Sequence, residues 1–357
     1  MNKKNNRFFL SLLVISITLE IAFRISPRFS NLYCTKLFPV TKLIYLPTRL
    51  LPFALSESIA LICAILVLYI VFASVIKLFN KASDFKAKTI FAILSRALIV
   101  FIFLFSTTFS ASYHRPLLSE LMPIKTVEVN RDTLVSASEA VAKELNSIAV
   151  ELNYFPERLS VSGMDFHELS LEVEKEVKKA AKSYPFLSRG YVNAKPFALS
   201  EPLTYTHIAG IYTFFTGEPC VNTNYAEYTL PFTIAHEYSH QSGIGHEDES
   251  DFMAFLILSK ASHPYLRYSA YAEVFSILSR ELYDVSPDDY KRILRTLPGI
   301  ARNDYSISSQ TYAKYSDSKA NDITRTVNDA YLKANGVKEG VRSYSRSVIL
   351  LVSYLNI

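Results

Sequence analysis

Three long apolar runs in the first third of the chain restrict its fold more than any other feature. The clearest is Ser58 to Ile76, which has 19 residues without a charged side chain and is long enough for a helix to cross a bilayer. Phe8 to Phe23 is apolar apart from Glu20, and Ala97 to Tyr113 forms the third run. We therefore predict a membrane anchor with three transmembrane helices over residues 1–114.

The basic residues give an orientation for these helices, which we place at about 8–24, 57–76 and 95–113. Lysine and arginine are concentrated before the first helix and from Lys77 to Lys88, and such segments usually stay in the cytoplasm. Three spans then place residues 115–357 on the extracytoplasmic side. Four basic residues in the loop after the first helix argue against this orientation: Arg28, Lys36, Lys42 and Arg49. No small-residue cleavage site follows the first run, so we expect an uncleaved helix rather than a signal peptide.

The remaining composition narrows the class of function. The formal net charge is only +5, and the basic residues are spread among acidic ones, so nothing indicates a nucleic-acid partner. Cys34, Cys63 and Cys220 lack the spacing of a metal site and imply no disulfide framework. The expected partners are the lipid bilayer and a peptide or protein substrate that the sequence does not identify.

Residues 115–357 are predicted to form a mostly helical domain. Helical patterns occur at 136–152, 165–184, 264–282, 287–297, 322–335 and 339–354. Residues 203–228 are rich in threonine, aromatic and β-branched residues and contain glycine breaks, which indicates short strands and a turn. Residues 303–318 are polar and are expected to form a loop. The predicted fold class is mainly α (α+β), with a small β-sheet.

The sequence His-Glu-x-x-His, at His236, Glu237 and His240, is the strongest indication of chemistry. Residues four apart lie on one face of a helix, so both imidazoles can reach one metal ion. Glu237 follows the first imidazole and can act as a general base toward a metal-bound water. Pro231 suits the first turn of such a helix, and Gly243 suits its end.

The residues after this helix offer three candidates for a third metal ligand. Glu247 begins Glu-x-x-Ser-Asp, which resembles the Glu-x-x-Ala-Asp of membrane metallopeptidases that use this glutamate as a ligand. His246 completes the longer metzincin pattern, but metzincins also need a downstream methionine turn, and only Met253 follows. We favour Glu247 and keep His246 and Glu249 as alternatives. Asp251 is a candidate for orienting a ligand histidine.

The predicted strands suggest where a peptide would bind. In zincins, a strand at the edge of the sheet lies near the metal-binding helix and pairs with an extended substrate. We assign this edge role to Glu218 to Asn224.

The chain resembles a family of bacterial membrane proteins of uncharacterised function with an embedded His-Glu-x-x-His sequence. The matching stretches are Leu51 to Glu57, Gly210 to Glu218, Leu230 to Gln241, Glu247 to Phe252, Arg267 to Ser269, and Tyr331 to Gly336 with Ser343 and Tyr344. The resemblance implies the architecture and a metallopeptidase site but no substrate. The family often has Arg in place of His246 and Ala-Asn in place of Ser250-Asp251. The first departure weakens His246 as a ligand, and the second favours Glu247.

Together these features predict a membrane-anchored zinc metallopeptidase of the gluzincin type. His236, His240 and Glu247 would hold Zn2+, and Glu237 would be the catalytic base. The tetrahedral oxyanion of peptide hydrolysis needs a further donor. The candidates for that donor are His207, Tyr268, Arg342 and Tyr344.

Two other functions remain open at this stage. An intramembrane protease would place the metal motif inside an apolar span, but the region is crowded by the polar or charged residues Glu237, Gln241, His246, Glu247, Asp248, Glu249 and Asp251. A non-catalytic scaffold of the cell envelope would bind a structural zinc ion in a closed four-ligand site, or none, and both His246 and Glu247 are near enough in sequence to supply extra ligands.

Overall fold

The computed structural model describes residues 3–79, 87–152, 158–188, 190, 192–316, 318–340 and 346–356. Most of this chain is helical, and one three-stranded sheet accompanies the helices. The predicted fold class is therefore confirmed. The three cysteines are free, as expected.

Three helices are long and apolar enough to cross a membrane: α1 (Lys3–Ile25), α4 (Leu55–Phe79) and α5 (Ala87–Thr108). Their apolar windows are Asn6–Ile25, Leu55–Ile76 and Thr89–Thr108. The third window begins earlier than the sequence predicts because Arg96 does not end it. The Arg96 guanidinium donates to Asn6 Oδ1 at 3.2 Å and lies over the ring of Phe9.

The segment between the first two apolar helices, predicted as a loop, is a nearly continuous helical path. It comprises α2 (Pro27–Leu32), a π-helical turn (Tyr33–Leu37), α3 (Phe38–Thr41) and a 3-10 helix (Lys42–Leu50). We call residues 27–50 the collar. Two of its basic residues contact the rest of the protein: Lys42 is buried against the domain, and Arg49 lies 3.8 Å from Glu174. The collar and the described part of residues 115–357 therefore lie at the same end of the three apolar helices.

The described residues contain twelve helices after the three apolar ones, and one large apolar core is built from most of these twelve. They are α6 (Ala111–His114), α7 (Leu118–Leu121), α8 (Arg131–Glu151), α9 (Phe166–Ser183), α10 (Ser200–Thr204), α11 (Leu230–Gln241), α12 (Glu247–Leu258), α13 (Pro264–Val285), α14 (Pro287–Leu294), α15 (Gly299–Tyr315), α16 (Lys319–Ala334) and α17 (Ser347–Leu355), with a short 3-10 turn at Glu227–Thr229. Capping boxes at Asn130 and Asp165 begin α8 and α9 and stabilise their first turns.

One prediction about this region is wrong, and another is confirmed over only part of its length. Residues 303–318 are not a loop, because α15 spans Gly299–Tyr315 and buries Ile300, Ala301 and Asp304 on one side. The polar composition reflects the exposed side of that helix. The predicted helix 339–354 is confirmed over α17, and residues 341–345 lie outside the described part of the chain.

The sheet contains β1 (Lys195–Pro196), β2 (Gly210–Thr213) and β3 (Glu218–Val221) in the order β1-β3-β2. β2 is antiparallel to β3, with Gly210 opposite Val221 and Thr213 opposite Glu218, and β1 pairs with β3 in parallel. The edge role assigned to Glu218 to Asn224 is therefore wrong: β3 is the central, fully buried strand, and β2 is an edge. The two-residue β1 is too short for any sequence pattern to reveal.

The sheet is joined to the collar and to the start of α4 through a buried ion pair. Lys195 Nζ lies 2.7 Å from Glu218 Oε1 and also donates to the carbonyl of Thr48 at 2.7 Å. Glu218 accepts hydrogen bonds from the backbone N–H groups of Leu55 and Ser56, at 3.0 and 2.9 Å. Because these N–H groups begin α4, the sheet satisfies donors that a helix start otherwise leaves unpaired.

Candidate metal centre

The helix that carries both histidines, α11, begins and ends where the sequence predicts. Pro231 lies in its first turn, where a missing N–H costs nothing. It ends at Gln241, and Gly243 follows with a φ of +95°, a conformation that favours glycine. This left-handed residue turns the chain back, so that α12 begins at Glu247 beside the last turn of α11.

The turn brings the Glu247 carboxylate to both imidazoles. Glu247 Oε2 lies 3.1 Å from His236 Nε2 and 3.3 Å from His240 Nε2, and the two Nε2 atoms are 3.1 Å apart. These three side chains form a group whose ligand atoms converge closely enough to hold one metal ion. All three are largely buried, with side-chain exposures of 13%, 7% and 16% for His236, His240 and Glu247.

The other nitrogen of each imidazole is bound to the protein. His236 Nδ1 lies 2.8 Å from Asp251 Oδ1, and His240 Nδ1 lies 2.8 Å from the carbonyl oxygen of Ile244. A carboxylate and a carbonyl accept hydrogen bonds, so in the neutral imidazole each Nδ1 carries the proton and each Nε2 has the free lone pair. Both lone pairs then face Glu247, which is the tautomer a metal ligand requires.

The charges of the cluster favour a cation at its centre. Burial lowers the pKa of His236, but hydrogen bonds with Asp251 and Glu247 outweigh it and leave the pKa well above its ordinary value. Burial likewise opposes protonation of His240, and the charge of Glu247 raises its pKa above the ordinary value. The two imidazoles hold the pKa of Glu247 well below the usual range, against the effect of burial. The site is therefore rich in negative charge unless protons or a metal ion neutralise it.

Glu237 lies beside the cluster but outside it. Burial raises its pKa to about 7, although the charges of His236 and His240 oppose this. Its Oε2 has no hydrogen-bond partner among the described residues. A Cβ added to Gly210, the first residue of β2, would come within 2.5 Å of Glu237 Oε1. The strand thus approaches the carboxylate as closely as a glycine permits.

The two alternative ligands lie elsewhere. His246 Nε2 is 3.2 Å from the carbonyl oxygen of Tyr113. Glu249 accepts the backbone N–H of Leu118 at 2.6 Å, and burial raises its pKa to about 8. Neither belongs to the converging group. Glu247 is the candidate that the fold places against both imidazoles.

The candidate oxyanion donors are not all placed near the cluster. Tyr268 is fully buried and donates to Asp304 at 2.7 Å, so it serves the core. Arg342 and Tyr344 lie outside the described residues. His207 precedes β2 by three residues, has a φ of +55° and packs on Tyr312, and its two ring nitrogens have no hydrogen-bond partner in the described chain.

Sequence reasoning missed the residues that hold the end of α11. Lys42 of the collar donates from Nζ to the Gln241 carbonyl at 2.6 Å, and Arg115 donates to the Gly243 carbonyl at 3.0 Å. Cations are favourable at the carbonyl end of a helix. Burial nevertheless lowers the pKa of Lys42 to about 7. The one signal in the sequence that could have drawn attention to Lys42 is that it is one of four basic residues in the first loop, which the predicted orientation did not explain.

The chain matches the family described as "Protein of unknown function (DUF3810)" over residues 33–352, and it therefore belongs to that family. The match includes the collar from residue 33 onward, two of the three apolar helices and the metal cluster. No curated protein and no solved structure matches the chain.

Proposed function

We propose that this member of the family is a membrane-anchored zinc metallopeptidase whose catalytic domain lies on the extracytoplasmic side. The observation that carries the proposal is the convergence of His236 Nε2, His240 Nε2 and Glu247 Oε2, with Glu237 beside them and one of its oxygens unpaired. None of these residues lies in an apolar window, which favours this reading over an intramembrane protease.

The donor set fits zinc. Nitrogen and oxygen ligands about 2.1 Å from a tetrahedral zinc ion lie about 3.4 Å apart. The three distances in the cluster are 3.1, 3.1 and 3.3 Å. Two imidazoles and one carboxylate leave the fourth position open, as catalytic rather than structural zinc sites do. Because His246 and Glu249 are turned away, the described residues supply no fourth ligand.

The protein's own residues can then perform the proton transfers of hydrolysis. A zinc ion in the site would supply a Lewis acid that brings the pKa of a coordinated water toward neutrality. Glu237 Oε2 would accept a proton from the attacking water and deliver it to the leaving amine. Asp251 and the Ile244 carbonyl would hold the imidazole planes in place. Of the four oxyanion donors suggested by the sequence, His207 is the candidate that lies in the described residues and has no hydrogen-bond partner there.

An extended substrate would lie along β2 rather than β3. β2 is an edge strand, and it begins at Gly210 against Glu237. Pairing with this strand would carry a peptide bond past the general base.

The test is to purify the protein in detergent, measure its zinc content, and assay peptide cleavage after reconstitution in vesicles. Wild type should contain about one zinc ion per chain, and His240→Ala should lose it. Glu237→Gln should keep zinc while cleavage falls by roughly two to four orders of magnitude, as expected for a lost general base. If Glu237→Gln changes neither cleavage nor the phenotype of the cell, the protein is better explained as a scaffold.

A further inference from the structure

An aromatic stripe connects α5 to the metal cluster. Phe101, Phe105, Phe109 and Tyr113 follow one another at intervals of four, which places them on one side of a helical path. Phe101 and Phe105 lie inside the apolar window Thr89–Thr108, and Phe109 is the first residue after it. Residues that pack on the stripe can therefore be positioned along the membrane normal by the stripe residue that they contact.

The tip of the β2–β3 hairpin packs on the membrane part of this stripe. The ring of Phe101 lies 4.8 Å from Phe214 and 5.8 Å from Phe215, measured between centroids. Phe101 is seven residues before the end of the apolar window, or about 10 Å along the helix axis. The hairpin tip thus reaches below the level at which the apolar window ends.

The metal cluster lies at the level where the window ends. The ring of Phe109 is 6.2 Å from that of His240 and 5.3 Å from that of Tyr212 in β2. Tyr331 is a further aromatic at this level, since its hydroxyl lies 3.3 Å from that of Tyr113.

The collar independently indicates that the metal cluster lies at the level of the membrane surface. Its outward side exposes a series of large apolar residues: Leu32, Leu37, Val40, Leu43, Ile44, Leu46 and Leu50. A helical segment with one apolar side typically lies in the membrane interface. On its inner side, Lys42 binds the last carbonyl of the histidine-bearing helix, so that helix ends at the level of the collar.

We propose that the substrate is a polypeptide anchored in the same membrane, and that it is cleaved within about ten residues of its own membrane span. This inference rests on the proposed peptidase function. The four residues of β2 extend about 14 Å from Gly210, beside Glu237, toward the hairpin tip in the membrane. A chain that leaves the bilayer next to the tip and pairs with β2 reaches the general base within that length.

The test compares substrates that differ only in the distance between the peptide and the membrane surface. Random decapeptides are attached to one leucine-alanine transmembrane anchor through a spacer of about three or about thirty residues, and both libraries are reconstituted with the protein. Both are confined to the bilayer, so their effective concentrations are matched. The short-spacer library should be cleaved at least about tenfold faster, with cleavage sites near the anchor by mass spectrometry.

The outcomes separate the two proposals. Equal or faster cleavage of the long-spacer library, or of the same decapeptides without an anchor, would overturn the juxtamembrane substrate and leave the peptidase intact. If no library is cleaved by wild type at a rate above that of Glu237→Gln, the peptidase function fails, and this inference fails with it.

A second measurement tests the height without relying on activity. The chain has no tryptophan, so Phe215→Trp introduces a single fluorophore at the hairpin tip. Its emission should be quenched in vesicles of lipids brominated on their acyl chains. Tyr283→Trp is the matched control, because Tyr283 is an exposed aromatic that packs on Tyr290 of α14 instead of on the anchor. Quenching at Phe215→Trp that is no stronger than at Tyr283→Trp would contradict the proposed position of the hairpin tip in the membrane.

Discussion

At the level of single residues, the cluster is defined by which atom of each side chain is already in use. The Nδ1 atoms of His236 and His240 are bound to Asp251 and to a backbone carbonyl, so only the Nε2 atoms remain for a ligand. Glu247 adds a negative charge at the same point. Each residue therefore has a separable role that substitution can test.

Comparing substitutions of Asp251, Glu247 and His246 should identify the third ligand. Asp251→Asn should weaken zinc binding by roughly 10- to 100-fold, the usual effect of losing an outer partner of a ligand histidine. Glu247→Ala should weaken it further, because a coordinating charge is lost. The control is His246→Gln, which can still donate to the Tyr113 carbonyl and should leave zinc affinity unchanged. Competition with a zinc chelator would measure the affinities, and a large loss in His246→Gln alone would point to a metzincin-like site.

Zinc binding should also release protons. Hydrogen bonds with Asp251 and Glu247 outweigh burial and hold the pKa of His236 well above its ordinary value, so zinc must displace a proton from this imidazole near neutral pH. Glu247 is already ionised and contributes none. Affinity should therefore rise with pH, by up to about tenfold per unit for each protonated imidazole. Calorimetry at pH 7 in buffers of different ionisation enthalpy would detect the release, and a buffer-independent heat would contradict it.

At the level of elements, the site is an arrangement of one strand and two helices. The left-handed Gly243 reverses the chain between α11 and α12, and β2 packs against Glu237 through a residue without a side chain. α11 is held at its end by Lys42 and Arg115. The sheet thus packs against the Glu237 carboxylate, whereas the helix pair brings His236, His240 and Glu247 together.

Gly210→Ala should separate these two functions. The new methyl group would overlap the Glu237 carboxylate and displace it, while His236, His240 and Glu247 remain in place. We expect zinc content to be unchanged and the cleavage rate to fall by about tenfold or more, since misplacing a catalytic group by 1 Å can cost about 100-fold. Ile211→Ala, at the exposed next position of the strand, is the control. Loss of zinc in Gly210→Ala would mean that the strand supports the ligands as well.

At the level of the whole molecule, the anchor and the domain share a large set of polar contacts. Glu218 binds the start of α4, Glu57 accepts the backbone N–H groups of Ala198 and Leu199, and Lys195 binds the collar. These contacts place the collar and the domain on one side of the three apolar helices. The basic residues Lys42 and Arg49, which opposed the predicted orientation, are explained by their partners in the domain.

Reporter fusions would test on which side of the membrane the domain and its metal cluster lie. A reporter that is active only outside the cytoplasm should be active after Ile357 and inactive near Asp84, in the lysine-rich segment that lies mostly outside the described residues. The reason is that positively charged segments are retained in the cytoplasm. A cytoplasmic reporter at the same two positions should give the opposite pattern. Reversal of both patterns would place the metal cluster in the cytoplasm.

Local patterns in the sequence were sufficient for some of these features. Apolar length predicted three helices that could span a membrane, and the spacing of His236 and His240 predicted that both would lie on one side of α11. These features depend on residues near one another in the chain, so hydrophobicity and helical period reveal them. The loop predicted at 303–318 shows the limit, because composition alone does not reveal one buried side of a helix.

Only the tertiary structure decided between neighbouring alternatives. His246 and Glu247 are adjacent in sequence, and the turn at Gly243 directs the second to the imidazoles and the first toward Tyr113. The order of the sheet, which makes β2 an edge, depends on a two-residue strand. Lys42 lies 199 positions from Gln241, whose carbonyl it binds. Such contacts depend on how distant elements pack, and no short stretch of sequence contains that information.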